Sequence, residues 1–208
     1  MDSIQTSIFQ IAVLIFSVVI HEVAHGAVAF KLGDETAKNA GRLTLNPVSH
    51  VDPFGSVLLP LILVVTGSPF LVGWAKPVPY NPFNLHKDYK YGPLKVALAG
   101  PGANLVIALI MGLLIRIFGS ALGPVAVLFL GHIVFINVLL AVFNLMPIPP
   151  LDGSKVLTLF LPPRYSYLLQ GIGTGGIIFV FLFIFLFSGV IFGITTTIVS
   201  WIIGVPII

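Results

Sequence analysis

Residues 8–32 read IFQIAVLIFSVVIHEVAHGAVAFKL and are the most informative stretch of the chain. The stretch is predominantly apolar as far as His21, where the sequence HEVAH interrupts it, and it ends beside Lys31. About 25 helical residues extend roughly 37 Å at 1.5 Å per residue, which exceeds the roughly 30 Å hydrocarbon core of a bilayer. The stretch therefore predicts a membrane-spanning helix that carries three ionisable side chains close together.

The composition of the whole chain also indicates a membrane protein. Of 208 residues, 57% are hydrophobic and 8% are charged, against roughly 25% charged residues in an average soluble domain. So few charges cannot cover a water-soluble globule, and so apolar a chain is not disordered. The net charge of +3 is too small and scattered to indicate nucleic acid as a partner, and the absence of cysteine excludes thiolate metal sites.

Further apolar stretches define the other membrane segments. Spans are predicted at about residues 94–115 and 125–146, and the stretch at about 172–207 is long enough for one tilted helix or two segments. Residues 54–72 are also apolar, but Pro60 and the glycines of this stretch make a simple span less favourable.

The connecting segments and the amino terminus complete the predicted architecture. In residues 33–53, Thr, Leu and Val alternate around Gly and Asn-Pro, which indicates short strands. The start MDSIQTS lacks a positive region, so the first span is expected to be retained. We expect an all-α transmembrane helical bundle with a small membrane-associated β element and a re-entrant hairpin. It would form one integral membrane domain over residues 1–208, with a functional core at about 8–160 and C-terminal membrane segments at about 172–207.

The positions of the basic residues predict the orientation. If residues 54–72 enter and leave the membrane on one side, nine of the ten Lys and Arg residues share a face and Arg116 alone lies opposite. If residues 54–72 cross, the basic residues divide almost evenly. Because Lys and Arg are enriched on the cytoplasmic side, we expect a multi-pass protein of the cell membrane with its N-terminus outside and HEVAH nearer the cytoplasm.

The spacing within HEVAH indicates a metal site. His21 and His25 are four residues apart, so their imidazoles lie on one helix face, about 40° apart, and Glu22 stands beside that face. Zinc suits such a site, since it binds His and carboxylate ligands and leaves one position for water, which Glu22 can deprotonate. The pattern is expected by chance only about 0.001 times in this composition. A polar helix face hydrogen-bonded to its neighbours is the alternative.

Such a site needs a third protein ligand, and Asp152 is the best candidate. It ends an apolar span in a run with three prolines, which break the helix and place Asp152 on irregular backbone in or near the membrane. The predicted orientation also puts it on the same side as His25. A helix-capping role in a cytoplasmic turn is the alternative. The other carboxylates and histidines are Asp2, Asp34, Glu35, Asp52, Asp88, His50, His86 and His132. His50 is more simply a turn histidine than a ligand.

The motifs HEVAHG, AGPGANL and NLMPIPPLDG, in that order, resemble the site-2 protease family of intramembrane zinc metalloproteases. NPVSHVDPFGS and GWAKPVP are similar to its small bacterial and archaeal members, which carry no PDZ domain. The resemblance covers about residues 10–160. It implies that His21, His25 and Asp152 bind one zinc ion, that Glu22 is the catalytic base and acid, and that Asn144 helps to hold the substrate or stabilise the oxyanion.

Several asparagines and glycines of the predicted spans have either a structural or a functional interpretation. An amide at Asn144 suits an oxyanion, although a buried Asn that bridges helices is the alternative. For Asn104 and Asn137, helix packing is the simpler interpretation. The glycines of AGPGANL are expected to have a structural role. The segment GRLTLNP could offer an edge strand to an extended substrate, or it could be a surface loop without substrate contact.

The sequence therefore predicts a zinc metalloendopeptidase that cleaves a peptide bond in or near the transmembrane segment of a membrane-protein substrate, as in regulated intramembrane proteolysis. Its partners would be that substrate and the lipid bilayer. A metal transporter that uses the same cluster is the main alternative, and a catalytically silent scaffold is the third. The substrate, the regulatory partner and the oligomeric state do not follow from the sequence.

Overall fold

The computed structural model describes residues 3–66, 73–158, 160–162, 164–165, 169, 171 and 173–204. All regular secondary structure in these residues is helical, and no β-strand occurs among them. The α-helices are α1 (Ser3–Lys31), α2 (Thr36–Asn39), α3 (Leu59–Val65), α4 (Gly92–Phe118), α5 (Pro124–Asn144), α6 (Asp152–Thr158) and α7 (Ile177–Ile203). Shorter helical turns lie at Pro47–His50, Pro53–Leu58, Pro82–Asn84 and Gly173–Gly176.

Four helices of the described part, α1, α4, α5 and α7, are long and apolar enough to cross a bilayer. This confirms a multi-pass helical membrane protein. Helix α7 is continuous over 27 residues, so the C-terminal apolar stretch contains one spanning helix and not two shorter segments. At 1.5 Å per residue α7 extends about 40 Å, which is enough to cross the hydrocarbon core with some tilt.

Helix α4 lies at the centre of the bundle, because α1 and α5 pack against it and α7 packs against both α4 and α5. An apolar core joins α4, α5 and α7; its buried members are Ala108, Ile115, Val134, Val138, Val142, Ile191 and Val199. Nearer its N-terminal end, α4 buries the small and polar residues Gly100 and Asn104. These two residues are four apart and so share a face, which is the face turned to α1.

The predicted β element is not present in residues 33–53, which contain α2, an irregular segment and a single helical turn. A neighbouring segment does pair with it, since the Lys76 N–H donates to the His50 carbonyl at 2.9 Å and Arg42 donates to the Lys76 carbonyl at 2.7 Å. The pairing does not continue, because the next N–H on the same side of this segment, that of Val78, donates to the Glu22 carboxylate instead. The alternation of Thr, Leu and Val was therefore a misleading signal.

Residues 53–65 form a π-helical turn that runs into α3. At 1.5 Å per residue they extend about 20 Å, which is too short to cross the hydrocarbon core. The predicted return of the hairpin falls on residues 67–72, which lie outside the described residues. The re-entrant hairpin at 54–72 thus stays a prediction.

Candidate metal centre

Helix α1 and the start of α6 bring three side chains into contact. His21 Nε2 and His25 Nε2 are 3.1 Å apart, and Asp152 Oδ2 lies 3.1 Å from the first and 3.0 Å from the second. All three residues are buried, with 5–7% of their surface exposed. The structure thus joins the three residues predicted as ligands, although 131 positions separate His21 from Asp152.

Asp152 reaches the histidines because the chain reverses direction between α5 and α6. Helix α5 ends at Asn144, and prolines in the connection prevent the helical hydrogen bonds from continuing. The turn is compact, since a Cβ atom on Gly153 would collide with the carbonyl oxygens of Leu145 and Met146. Only glycine fits after Asp152, which explains the sequence Asp-Gly at this position.

Hydrogen bonds to the other ring nitrogens orient both imidazoles. His21 Nδ1 lies 2.8 Å from Asn104 Oδ1, and His25 Nδ1 lies 2.6 Å from the carbonyl oxygen of Val96. Both partners are acceptors, so each Nδ1 carries the hydrogen and each Nε2 presents a lone pair. This is the arrangement by which proteins commonly fix metal-binding histidines.

A buried chain of amides extends this support away from the cluster. Asn104 Nδ2 donates to Asn137 Oδ1 at 3.1 Å, and Asn137 Nδ2 donates to Ser17 Oγ at 3.0 Å. Asn104 and Asn137 are fully buried and Ser17 is 4% exposed. Because the Asn104 amide must donate to Asn137, its oxygen is the atom that faces His21. The two asparagines do join helices, as expected, but they also orient a candidate ligand.

Gly100 of α4 packs directly against the two imidazoles. A Cβ atom there would lie 2.6 Å from His21 Cε1 and still closer to Nε2 of both histidines. No such obstacle exists at Gly102, where an added Cβ meets nothing within 4 Å. Sequence reasoning treated these glycines alike. The helical spacing of Gly100 and Asn104 on one face was the available signal that the first of them borders the site.

The three ligand atoms fit a zinc ion. Around tetrahedral zinc with bonds of about 2.0–2.1 Å, neighbouring ligand atoms are about 3.3 Å apart, close to the 3.0–3.1 Å observed here. Two imidazole nitrogens and one carboxylate oxygen are also the ligand set typical of catalytic zinc sites with an open position. Gly100 leaves the space beside the Nε2 atoms free of side chain. This is the one His, Asp and Glu cluster of metal-binding geometry among the described residues.

The other predicted site residues lie outside this triangle. Glu22 Oε2 accepts a hydrogen bond from the Val78 N–H at 2.9 Å, so a loop holds its carboxylate. Asn144 is half-buried and donates to the Leu140 carbonyl of its own helix at 2.9 Å. His50 is buried elsewhere and bonds to the Thr44 carbonyl, in agreement with a structural role.

Comparison with curated proteins finds zinc metalloproteases. The chain is 39% identical over 182 residues to "Putative zinc metalloprotease YwhC" of Bacillus subtilis (strain 168), which covers 84% of this chain and 79% of that protein. It is 34% identical over 163 residues to "Putative zinc metalloprotease MJ0611" of Methanocaldococcus jannaschii, with 72% of each chain covered. The chain belongs to this zinc metalloprotease family.

A third relative of the zinc metalloprotease family is "Putative zinc metalloprotease Rip2" of Mycolicibacterium smegmatis, 33% identical over 83% of this chain and 65% of that protein. No protein-family model and no solved structure matches the chain. Together, the relatives and the four apolar helices identify a membrane zinc metalloprotease, and they do not favour a transporter.

Proposed function

We propose that the protein is an intramembrane endopeptidase of the site-2 protease type, acting on the transmembrane segment of another protein in regulated intramembrane proteolysis. The observation that carries this proposal is the position of the His21, His25 and Asp152 cluster. Two of its members lie on α1, a helix long and apolar enough to span a membrane. A zinc protease whose zinc ligands lie on a membrane-spanning helix acts within the membrane. The peptide bonds that a substrate presents there are those of its transmembrane segment.

His21, His25 and Asp152 hold the zinc ion in this proposal. Zinc, when bound there, supplies a Lewis acid that polarises the scissile carbonyl and acidifies water. Nδ1 hydrogen bonds hold both imidazoles in one orientation, which preserves the ligand geometry through the reaction. One ion is sufficient, because the cluster provides three protein ligands and leaves a position open.

Glu22 moves the proton. Its carboxylate takes a proton from the attacking water and passes it to the nitrogen of the leaving amine. Because Oε2 already accepts the Val78 N–H, Oε1 is the oxygen that receives the proton. Asn144 has a second N–H beyond the one that donates to Leu140, and this N–H donates to the oxyanion or to the bound substrate chain.

The proposed orientation follows from the charges and the ends of the helices. With the N-terminus outside, α1 ends in the cytoplasm at Lys31, and the cluster lies in its cytoplasmic half, about 9–15 Å before that lysine. Water then reaches the site from the cytoplasmic face. The predicted re-entrant hairpin at 54–72 and the single domain over residues 1–208 belong to the same proposal.

Glu22→Gln tests the proposed chemistry. The amide keeps an oxygen for the Val78 N–H but takes no proton, so cleavage should fall by at least about 1,000-fold while zinc content stays at one ion per chain. Synthetic single-span peptides with a helix-breaking residue in the span serve as substrates in detergent, and mass spectrometry locates the cut. Glu35→Gln is the matched control, since Glu35 is the other glutamate of the chain and is exposed.

The control should cleave like the wild type. Cleavage by Glu22→Gln at the wild-type rate would contradict the role of Glu22, and cuts only outside the span would contradict intramembrane action. Zinc flux into vesicles that survives the substitution would instead support the transporter.

A further inference from the structure

The two oxygens of Asp152 have different partners. Oδ2 faces the two histidine Nε2 atoms, whereas Oδ1 accepts a hydrogen bond from the ammonium of Lys155 at 3.0 Å. The Asp152 side chain is buried, with 8% of its surface exposed, whereas the Lys155 side chain is 40% exposed. Lys155 therefore lies at the rim of the cluster and contacts the oxygen that the metal site does not use.

Tyr80 gives the Lys155 ammonium a second contact. The Nζ atom lies 5.7 Å from the centroid of the Tyr80 ring, within the range of a cation–π interaction. The ring itself packs against a buried cluster of Ala29, Leu85 and Val96. The ammonium is thus held between a fixed ring and a fixed carboxylate.

The same loop supports both carboxylates of the site. Val78 donates its N–H to Glu22, and Tyr80, two residues later, contacts the lysine that holds Asp152. Each carboxylate has one oxygen occupied by this support, which leaves the other oxygen for the reaction or for the ion.

A second acid–lysine pair of the same spacing shows that the Lys155 contact is not an ordinary surface pair. Glu35 and Lys38 also lie three residues apart, but their atoms are 3.5 Å apart and both side chains are more than half exposed. Exposed pairs of this kind contribute little. The Asp152–Lys155 pair differs because its acid is a buried candidate ligand.

We infer that Lys155 is a positioning residue for the metal centre. Its ammonium holds Asp152 to single-oxygen coordination, so that an ion bound there has four ligands, namely three protein atoms and one water. This inference rests on the proposed metal centre. A carboxylate freed from the ammonium can rotate and bind the ion through both oxygens, which adds a fifth ligand beside the water and crowds the position that the substrate carbonyl needs. Hydrogen-bonded partners of metal ligands elsewhere change metal affinity by about 10–100-fold.

Cobalt substitution tests the inference with a readout other than activity. Wild type, Lys155→Met, Lys155→Arg and the matched control Lys38→Met are loaded with Co²⁺ in detergent, and their visible spectra and zinc dissociation constants are measured. Four-coordinate Co²⁺ absorbs several-fold more strongly than five-coordinate Co²⁺. Wild type, Lys38→Met and Lys155→Arg should give the strong spectrum, because Arg keeps a charged donor. Lys155→Met should give a several-fold weaker spectrum and a zinc dissociation constant raised about 10-fold.

The possible outcomes separate this inference from the proposed function. A Lys155→Met protein with the wild-type cobalt spectrum and zinc affinity overturns the inference and leaves the metal centre intact. A wild-type protein that binds neither ion overturns both. Circular dichroism of each variant checks that the helices are retained, and recovery of the strong spectrum in Lys155→Arg assigns the loss in Lys155→Met to the missing ammonium.

Discussion

Two buried aspartates show how the same side chain can serve opposite purposes in one protein. Asp152 is 6% exposed and Asp34, in the loop after α1, is fully buried. Asp152 meets two imidazole Nε2 atoms and an ammonium. Asp34 accepts hydrogen bonds from the Thr36 N–H and hydroxyl, the Asn81 N–H and the Asn84 amide.

The difference lies in what the partners can do besides hydrogen bonding. Every partner of Asp34 is a donor, so the carboxylate is satisfied without any ion and joins the loop after α1 to the Asn81 loop. The two histidines beside Asp152 direct lone pairs at the same point as its Oδ2, and three acceptors in contact are stable only with a cation or extra protons between them. Burial of an aspartate therefore does not indicate a metal ligand by itself. The indication comes from its partners, which are donors around Asp34 and lone pairs of imidazole nitrogens beside Asp152.

The largest effect should come from exchanging each aspartate for asparagine. Asp152→Asn removes a charged zinc ligand, so zinc affinity should fall by more than about 100-fold, while the metal-free protein unfolds near the wild-type temperature. Asp34→Asn should do the reverse. Its new NH₂ group faces the Asn81 N–H, which leaves a buried donor unsatisfied at a cost of about 1–3 kcal/mol.

Zinc titration and thermal unfolding in the same detergent measure both properties. We expect Asp34→Asn to lower the unfolding midpoint by on the order of 5 °C and to keep wild-type zinc affinity. Full zinc affinity in Asp152→Asn would remove this aspartate from the ligand set. Loss of zinc binding in a folded Asp34→Asn protein would contradict the claim that Asp34 has only a structural role.

The sequence was sufficient for the parts of the site that depend on local spacing. His21, Glu22 and His25 lie within one helical turn, so periodicity alone predicts how they face one another. Asp152 was found because prolines end a span beside it. The spanning helices were predicted for a similar reason, since hydropathy and length are local properties.

Features that depend on contacts between elements were missed. Whether residues 33–53 form a strand depends on a partner segment, and the N–H of Val78 in that segment donates to Glu22 instead of continuing the pairing. The roles of Gly100 and Asn104 depend on which face of α4 meets α1, and a single sequence does not contain that pairing. The lysine contact to Asp152 was missed as well, because an acid and a lysine three residues apart are common on exposed helices.

Gly100→Ala provides a second, smaller test of the metal centre that changes no ligand. The added methyl group would overlap His21 and His25, so both rings must shift, and zinc affinity should fall by about 10–100-fold. Gly102→Ala is the matched control, because the same change two residues later meets nothing within 4 Å. Equal zinc affinities in the two variants, measured by chelator competition, would show that Gly100 does not shape the site.

The smallest effect concerns acid stability and separates the two aspartates by pH. Burial opposes the ionisation of Asp34, but hydrogen bonds from Thr36, Asn81 and Asn84 hold its pKa below the ordinary value of 3.8. Its pKa is therefore lower in the folded than in the unfolded chain. The stabilisation is complete above about pH 4 and is lost as the pH falls through the folded-state pKa.

An Asp152→Asn background allows this effect to be measured without zinc, whose release in acid would otherwise dominate. In that background we compare the protein that retains Asp34 with the one that carries Asp34→Asn. Their difference in unfolding free energy should be on the order of 1 kcal/mol at neutral pH and should narrow below about pH 4. Asparagine does not titrate, so the narrowing comes from protonation of Asp34 alone. A gap that stays constant from pH 7 to about pH 2.5 would mean that Asp34 is held equally in both protonation states, and its four donors would then not be what distinguishes it from Asp152.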